Sequence, residues 1–247
     1  MQVAAGTAPP VQRLRRARLT VSGTPVGEVG VVVVSPTGTR RADPLPLLLV
    51  HDGPEYSRRA HLSSSIARAV AAGRIPRTRI ALLEPGVRND RYSANVDYAT
   101  TLTQHVLPRV TAAYGIVGKP VLMGASLGAL AALEAAWLRP GTFGGLFLQS
   151  GSFFVRGLDD EEGFTYWDRV TDWVALVRRA RRRRILAPIV MTCGRDEGNL
   201  RNNRRMAQTL ARHGHDVTFH EIPGGHNWPS WESAYDPYLF DLLGHAD

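Results

Sequence analysis

From about Pro44 onward, the chain alternates short, continuously apolar runs with longer segments in which apolar residues recur at helical spacing. Runs that are apolar throughout are typical of strands buried on both faces. Strands that alternate with helices build a parallel sheet covered on both sides. The sequence therefore predicts an α/β fold with a mostly parallel, doubly wound sheet. The predicted strands are residues 45–50, 80–83, 121–123, 146–148, 189–192 and 217–222, and the predicted helices are residues 63–72, 98–114, 127–138, 165–184, 200–212 and 230–243.

The N-terminal segment has a different pattern. Residues 13–22 and 28–34 are joined by a Gly/Pro turn, and we expect them to form an antiparallel hairpin at the edge of the sheet. The chain has no internal repeat and no long linker, and 247 residues fit one α/β domain. We therefore predict a single domain over residues 1–247, with 1–40 as the edge hairpin and 41–247 as the core that carries the chemistry.

The composition argues against several classes of protein. No apolar stretch approaches the ~18 residues needed to span a bilayer, and the N-terminus has no apolar region of a secretory signal. Cys193 is the only cysteine, so no internal disulfide is possible. A lone cysteine favours the cytoplasm. We expect a cytoplasmic protein without a membrane partner.

The formal charge of +8 is carried almost entirely by arginine, because the chain contains a single lysine. The densest run, residues 178–184, follows a segment in which Trp167, Val170, Val174 and Val177 recur at helical spacing. We interpret the run as the solvated end of an amphipathic helix, where cations lie near the negative end of the helix dipole. No zinc-ligand cluster, RNP-type motif or helix-turn-helix pattern supports a nucleic-acid partner.

The strongest chemical signal is the pentapeptide Gly124-Ala125-Ser126-Leu127-Gly128, a G-x-S-x-G motif. A predicted strand precedes it and a predicted helix follows it, which is the setting of a nucleophile elbow in α/β hydrolases. The turn is so tight that small residues must flank the serine, whose Oγ is then exposed at the helix N-terminus. We predict Ser126 as the nucleophile, and a Gly/Ser-rich turn without chemistry is the alternative.

A serine hydroxyl needs a base to remove its proton, and in this fold the chain order is nucleophile, acid, histidine. His226 lies in the segment PGGHNW, directly after the last predicted strand. The glycines leave its ring room to approach the serine. We predict His226 as the base, with a structural turn histidine as the alternative. His51 belongs to another loop, and the other candidates are expected at the surface or at helix ends: His213, His215 and His220.

The acid of the triad is expected in the loop after the predicted strand 189–192, where two carboxylates are adjacent. In many α/β hydrolases the acid falls three residues after the glycine that ends the strand. Counting from Gly194 selects Glu197, and Asp196 stays open as the alternative. The acid would fix the histidine tautomer and stabilise the imidazolium that forms during attack. The other carboxylate would suit the N-terminus of the following helix.

An oxyanion hole needs preorganised N–H donors. One donor should be the backbone N–H of Leu127, which follows the nucleophile. The second should come from the loop after the strand 45–50, which contains His-Asp-Gly-Pro-Glu-Tyr. Proline has no N–H, so Gly53 or Glu55 must supply this donor, and we favour Gly53.

Three blocks of the chain resemble the enterochelin esterase family, also called the esterase D-like family. They are LLLVHDGPEY, VLMGASLGALAALEAAWLRPGTFGGLFLQSGSF and CGRDEGNLRNNRRMAQTLARHGHDVTFHEIPGGHNWPSW, and the similarity runs from about Leu45 to the C-terminus. The resemblance implies an α/β-hydrolase fold and hydrolysis of esters by a Ser/acid/His triad, without metal or organic cofactor. It places the nucleophile at Ser126, the acid at Glu197 and the base at His226.

Two features depart from the family pattern. Members often have an arginine followed three residues later by Glu-Tyr; here Arg88 and Tyr92 are retained, but Arg91 stands where the glutamate is expected. The N-terminal hairpin is also too short to be the separate domain that some enterochelin esterases carry. Siderophore specificity therefore does not follow from the resemblance.

We expect a carboxylic ester hydrolase that forms an acyl-enzyme and acts on a small-molecule ester. The resemblance implies catecholate trilactones and aryl or hydroxycinnamoyl esters as substrates. Arginines and aromatic side chains near the predicted cleft would suit an anionic, aromatic ligand. The expected substrate contacts are Arg88, Arg91, Tyr92 and Trp228, and further wall candidates are Trp167, Phe153 and Phe154, with core packing as the alternative for the two phenylalanines.

Two other functions stay open at this point. The same acyl-enzyme would serve transfer to a sugar or other alcohol, because the family resembles the mycolyltransferases in fold and triad. A pseudo-hydrolase would keep the fold only as a binding module, although a decayed site usually loses a member and all three are present here in order. The sequence leaves the oligomeric state undetermined.

Overall fold

The computed structural model describes residues 14–158, 163–181 and 184–245. The predicted strand start at Arg13 and the arginines Arg182 and Arg183 lie outside these ranges. Within them, eight strands form one sheet in the order β1-β2-β4-β3-β5-β6-β7-β8. The strands are β1 (Leu14–Val21), β2 (Val29–Pro36), β3 (Leu47–Val50), β4 (Arg79–Leu83), β5 (Val121–Ala125), β6 (Gly145–Gln149), β7 (Ile189–Gly194) and β8 (Val217–Ile222).

The six strands predicted from apolar runs form the parallel part of the sheet. Strands β4, β3, β5, β6, β7 and β8 are successive parallel neighbours. Strand β3 begins at Leu47 rather than Leu45, and Leu45 forms only an isolated bridge to Ile116. A proline at position 46 explains the difference, because it has no N–H for the ladder. The predicted α/β fold with a mostly parallel sheet is confirmed.

The predicted N-terminal hairpin is also confirmed. Strand β1 pairs antiparallel with β2 along its whole length, and β2 pairs antiparallel with β4. The hairpin therefore extends the sheet at one edge. The outer strand exposes Arg15, Arg16 and Arg18, and charged side chains on an edge strand discourage pairing with another chain.

Ten α-helices and two π-helical turns connect the strands of the described ranges. The helices are α1 (Gly53–Arg59), α2 (Leu62–Ala71), α3 (Arg88–Tyr92), α4 (Val96–Thr101), α5 (Leu107–Ala113), α6 (Leu127–Leu138), α7 (Trp167–Arg179), α8 (Leu200–Arg212), α9 (Trp228–Ser233) and α10 (Phe240–Gly244); the π-helical turns are Leu102–Val106 and Tyr235–Leu239.

The helix predictions differ from the structure mainly at the ends and in short segments. The predicted helix 98–114 starts earlier, because the Asn95 side chain caps α4 by accepting from the N–H groups of Asp97 and Tyr98. The predicted helix 165–184 ends at Arg179, since Ala180 takes an extended conformation. Helices α1 and α3 were not predicted; they are short and follow the carboxyl ends of β3 and β4.

The interpretation of the arginine run agrees with the structure where it is described. Trp167, Val170, Val174 and Val177 are buried on one face of α7. Arg178 and Arg179 are exposed in its last turn. Arg178 and Arg179 are therefore the solvated end of an amphipathic helix, whereas Arg181 and Arg184 are exposed but lie beyond the end of α7.

Helix α6 is the central helix of the fold. All residues from Leu127 to Trp137, Glu134 included, are buried, so the helix is buried on every side rather than amphipathic. Two apolar clusters cover the two faces of the sheet, one containing α6 and α7 and the other α2 and α10. This packing fixes the N-terminus of α6 at the carboxyl edge of the parallel strands, where ligands of open α/β sheets bind.

Candidate active site

The turn between β5 and α6 has the geometry of a nucleophile elbow. Ser126 adopts φ 56° and ψ −124°, a conformation that L-residues avoid and that marks functional turns. A Cβ on Gly124 would lie 2.4 Å from the carbonyl group of Gly128. Glycine at 124 is therefore required by the backbone itself, which explains the first position of the G-x-S-x-G motif.

Ser126 is held by residues at the end of β6 and in the segment that follows it. Its N–H donates to the carbonyl of Gln149 at 2.9 Å, and its own carbonyl accepts from the N–H of Ser152 at 3.2 Å. The Ser126 Oγ lies 3.2 Å from the Oγ of Ser152. The side chain is only half-buried, so a ligand at the carboxyl edge of the sheet can reach the hydroxyl.

The structure brings Glu197 and His226 together. His226 lies in the loop after β8, and its Nδ1 is 2.8 Å from Oε2 of Glu197. The glutamate side chain is fully buried, whereas 42% of the histidine side chain is exposed. A carboxylate on Nδ1 places the proton there and leaves Nε2 as the free base. This is the orientation that a Ser/acid/His triad requires.

The carboxylate of Glu197 has two further donors on its other oxygen. Oε1 accepts from the Ser150 hydroxyl at 2.6 Å and from the Gly194 N–H at 2.7 Å. Burial would raise the pKa of Glu197, but the hydrogen bonds from His226, Ser150 and Gly194 hold it below its usual value. The carboxylate therefore stays ionised and can stabilise a protonated histidine.

Asp196, the alternative acid, points elsewhere. It is exposed to solvent, and its backbone N–H donates to the carbonyl of Gly224 at 3.1 Å. Two adjacent residues in a turn point to different sides. The geometry therefore favours Glu197 as the partner of His226.

The nucleophile and the base are not hydrogen-bonded to each other in this conformation. Among the described residues, no hydrogen bond within 3.5 Å joins Ser126 Oγ to His226, and Oγ contacts Ser152 instead. Catalytic hydrogen bonds are often long without a substrate and tighten in the complex.

The two predicted oxyanion donors lie at helix N-termini. Leu127 is the first residue of α6 and Gly53 the first of α1, so neither N–H has an intrahelical acceptor. The predicted loop around Gly53 is thus the start of a helix. The N–H of Asp52 is occupied, because it donates to the Tyr92 hydroxyl at 3.2 Å. Gly53 packs so closely that a Cβ would lie 2.3 Å from Cα of Leu82.

Arg88 is fixed beside this loop. Its Nε and Nη2 each donate to the Asp52 carboxylate at 2.8 Å. The arginine side chain is 34% exposed, while that of Asp52 is 4% exposed. The guanidinium also lies 5.4 Å from the centre of the Tyr92 ring. A bidentate pair with a buried carboxylate preorganises the arginine and leaves part of it open to solvent.

The structure places two predicted substrate contacts in the protein interior. Arg91 is buried, and its guanidinium donates to the carbonyls of Val26 and Glu28 at 3.0 and 2.8 Å. It therefore anchors the N-terminal hairpin instead of facing a ligand. Tyr92 has no exposed surface, and its hydroxyl holds the Asp52 N–H. Sequence alone does not show which side chains of a short helix turn inward.

The predicted aromatic walls divide into two groups. Trp228 is half-buried; its ring packs edge-on against Tyr56 at 5.2 Å and against Trp231 at 4.8 Å. Trp228 begins the short helix α9, which also contains Trp231, and it follows His226 by two residues. The other candidates are buried and belong to the apolar core: Phe153, Phe154 and Trp167.

Three residues near the triad were not predicted. Ser150 and Ser152 follow β6 and contact Glu197 and Ser126 respectively. The Trp231 Nε1 donates to the Ser150 hydroxyl at 2.9 Å. The segment QSGS supplies small polar residues at the end of a predicted strand, which is the signal that could have indicated them.

The other histidines do not compete with His226. His51 is buried, and burial lowers its pKa to about 3, so it stays neutral. His213 lies at the C-terminus of α8 as predicted, and His220 is half-buried on β8. His215 is buried rather than at the surface, but it lies at the end of α8 as the other predicted alternative has it, with its N–H 3.1 Å and its Nδ1 3.0 Å from the carbonyl of Leu210.

The described ranges hold neither a cluster of metal ligands nor a membrane-spanning helix. No group of three or more His, Cys, Asp or Glu side chains in these ranges could hold a metal ion. None of the helices in the described part of the chain is both long and apolar enough to cross a membrane.

Known proteins share this fold and sequence pattern. The iron(III) enterobactin esterase of Dickeya dadantii (strain 3937) is 26% identical over 209 residues, which are 81% of this chain and 48% of that protein. The chain thus spans about half the length of this curated relative.

Solved structures give the same architecture. A ferulic acid esterase superposes with a TM-score of 0.78 at 19% identity, covering 94% of this chain and 98% of that one. The enterobactin esterase from Shigella flexneri, in the presence of 2,3-dihydroxy-N-benzoyl-serine, gives 0.79 at 20% identity and covers 95% of this chain and 61% of the other.

A family profile decides the relationship. The profile of the Esterase family matches residues 22–242. This range is most of the chain and includes the segments GASLG and PGGHNW, which carry Ser126 and His226. The predicted resemblance to enterochelin esterases is confirmed by this match together with the curated relative. The chain belongs to the Esterase family.

Proposed function

We propose that the protein hydrolyses carboxylic esters through an acyl-enzyme, with Ser126 as nucleophile, His226 as base and Glu197 as acid. The observation that carries the proposal is the pairing of a strained serine at the start of α6 with a buried carboxylate bonded to His226 Nδ1. This combination prepares a hydroxyl and a base at the same edge of the sheet. Membership of the Esterase family supports the same reaction class.

The reaction would proceed in two halves. Ser126 Oγ attacks the ester carbonyl while His226 Nε2 takes its proton, and the developing oxyanion accepts from the N–H groups of Leu127 and Gly53. The tetrahedral intermediate collapses, and His226 returns the proton to the departing alcohol. Water then attacks the acyl-enzyme, with His226 as base again, and the acid leaves with restoration of Ser126.

The substrate class follows from the groups near the nucleophile. We infer a small ester with an aromatic, anionic acyl part, because the partly exposed Arg88 guanidinium and the half-buried Trp228 ring lie on the short helices that follow β4 and β8 at the carboxyl edge of the sheet. The relatives are named for enterobactin and ferulic acid esters, which are aromatic. No nucleic-acid or membrane partner is part of this proposal, and no cofactor is needed for the steps above.

We also propose that the chain forms a single domain and lies in the cytoplasm. A single domain over residues 1–247 is supported by the one continuous sheet, which runs from β1 to β8. A cytoplasmic location is supported by Cys193, the single cysteine of the chain, which is buried and free.

The test is hydrolysis of p-nitrophenyl acetate and butyrate by the wild type and by Ser126→Ala. We expect kcat to fall by about 10³-fold or more, as for other triad knockouts. Ser233→Ala is the matched control, because within the described part of the chain this hydroxyl donates to a carbonyl of its own helix α9 and to no residue of the site. Equal rates in the wild type and in Ser126→Ala would refute the assignment of the nucleophile.

A fluorophosphonate probe separates a narrow substrate range from an inactive site. If neither p-nitrophenyl ester is turned over, labelling of the wild type but not of Ser126→Ala would still support an activated serine. Absence of labelling in both proteins would refute the proposal and favour a non-catalytic binding module.

A further inference from the structure

Ser150 occupies a strained position directly behind the triad. It follows β6, has no exposed surface and adopts φ 49°, in the left-handed region that favours glycine. A non-glycine residue persists there when its side chain makes contacts that the structure needs. The side chain of Ser150 is therefore the part of this turn that requires an explanation.

The hydroxyl of Ser150 links two functional segments. It donates to Oε1 of Glu197 at 2.6 Å and accepts from Nε1 of Trp231 at 2.9 Å. On the other oxygen of the carboxylate, His226 Nδ1 lies at 2.8 Å. Every N–H or O–H in this series of hydrogen bonds donates toward the Glu197 carboxylate, so each bond strengthens its neighbour.

Trp231 also contacts His226, the histidine paired with Glu197. Its ring packs edge-on against the ring of His226, with centroids 5.1 Å apart and an interplanar angle of 83°. Its carbonyl accepts from Nε2 of Gln149 at 2.9 Å. Trp231 is thus tied to two consecutive residues at the end of β6 while its ring supports the exposed histidine.

We propose that Ser150 and Trp231 are positioning residues of the esterase, which hold the Glu197 carboxylate and the His226 ring in the orientation that serves Ser126. This inference rests on the proposed function. Trp231 acts through Ser150 on the carboxylate and directly on the ring, and among the described residues neither one is hydrogen-bonded to Ser126. The strain at Ser150 persists because a hydroxyl at that point is required, and glycine would not supply one.

The other groups that face the carboxylate are the Gly194 N–H on β7 and the neighbouring Cys193 thiol. Burial and the charge of Glu197 raise the pKa of the Cys193 thiol, so it stays protonated through the neutral range. Removing the Ser150 hydroxyl therefore changes the electrostatic interaction between the Glu197 carboxylate and the His226 ring.

The main test is Ser150→Gly. Glycine accepts the left-handed backbone, so the variant removes the hydroxyl without forcing the turn to change. With the best p-nitrophenyl ester we expect kcat to fall about 10- to 100-fold, as for outer partners that orient a functional side chain, and KM to change less than about twofold. The acid limb of kcat/KM should move to higher pH, because a carboxylate with one donor fewer holds the imidazolium of His226 more strongly.

Two more variants separate positioning from a general loss of packing. Trp231→Phe keeps a ring against His226 but removes the N–H, so we expect a smaller loss of kcat in the same direction. The double variant should equal Ser150→Gly, because the N–H acts through the hydroxyl. Ala94→Gly is the matched control, since Ala94 also has a positive φ of 53° but lies outside this network. Its kinetics should equal those of the wild type.

A readout without turnover keeps the two proposals distinguishable. The ¹³C titration of the Glu197 carboxyl should show a higher midpoint in Ser150→Gly than in the wild type, since one of the bonds that lower its pKa is lost. An active wild type with unchanged kcat, pH profile and titration in Ser150→Gly would overturn the positioning role but leave the esterase intact. If the wild type were inactive, the titration alone would decide, and an unchanged midpoint would overturn the inference.

Discussion

Glu134 on α6 gives a stability prediction that does not depend on substrate. The residue has no exposed surface, and neither carboxylate oxygen has a hydrogen-bond partner among the described residues. Burial raises the pKa of Glu134 to about 8 from 4.5, although the Arg169 guanidinium and the Asn95 N–H act in the opposite direction. The native protein therefore keeps a proton on Glu134 at neutral pH.

The sign of the effect follows from proton binding. Between about pH 4.5 and 8 the folded state holds the proton and the unfolded state has released it, so unfolding becomes easier as the pH rises. Each pH unit in this window costs about 1.4 kcal/mol. Glu134→Gln removes the titration, so between pH 5 and pH 7.5 the wild type should lose about 3 kcal/mol of unfolding free energy relative to the variant.

The assay is urea unfolding followed by far-UV circular dichroism at several pH values from 5 to 7.5. At pH 5 the two proteins should agree within about 1 kcal/mol, because a protonated carboxyl and an amide have similar hydrogen-bonding groups. Glu28→Gln, at an exposed position, is the control and should run parallel to the wild type. A constant difference between the wild type and Glu134→Gln across the range would refute the reasoning.

Two further predictions concern the site. Glu197→Gln should lower kcat by about 10³- to 10⁴-fold, because an amide no longer holds the His226 tautomer and its imidazolium. Asp196→Asn should change kcat less than about twofold. Comparable losses in both variants would contradict the assignment of the acid. Arg88→Met should lower kcat/KM for carboxylate-bearing aryl esters by about tenfold, the value of one charged hydrogen bond, and leave p-nitrophenyl acetate unchanged. Equal effects on both esters would remove Arg88 from substrate recognition and indicate that its pair with Asp52 is structural.

The parts of the fold that the sequence predicted are those with a local signal. Buried parallel strands are apolar throughout, and the G-x-S-x-G motif is readable because Gly124 and Gly128 must lie in backbone contact around Ser126. Helices α1 and α3 carried no such signal. They are too short for an apolar period, and their residues become helical through their position at the strand ends.

The side-chain directions near the site were predicted only in part: counting from Gly194 favoured Glu197 over Asp196, but no local pattern distinguished Arg88 from Arg91. Arg88 and Arg91 lie on the same short helix, yet one borders the site and the other bonds the N-terminal hairpin. Asp196 and Glu197 are neighbours in a turn, yet only the second is buried against His226. Both outcomes depend on which elements pack against the segment, and those elements are distant in the chain.

By itself, the sequence determined the α/β architecture, the edge hairpin and the turn that carries Ser126, because periodicity and glycine spacing are properties of contiguous residues. Only the tertiary structure decided which carboxylate faces His226. It also brought Ser150 and Trp231, which are 81 residues apart in the sequence, together beside that carboxylate. These groups meet because parallel strands end at one edge of the sheet, and the long-range contacts at that edge have no counterpart in any local pattern.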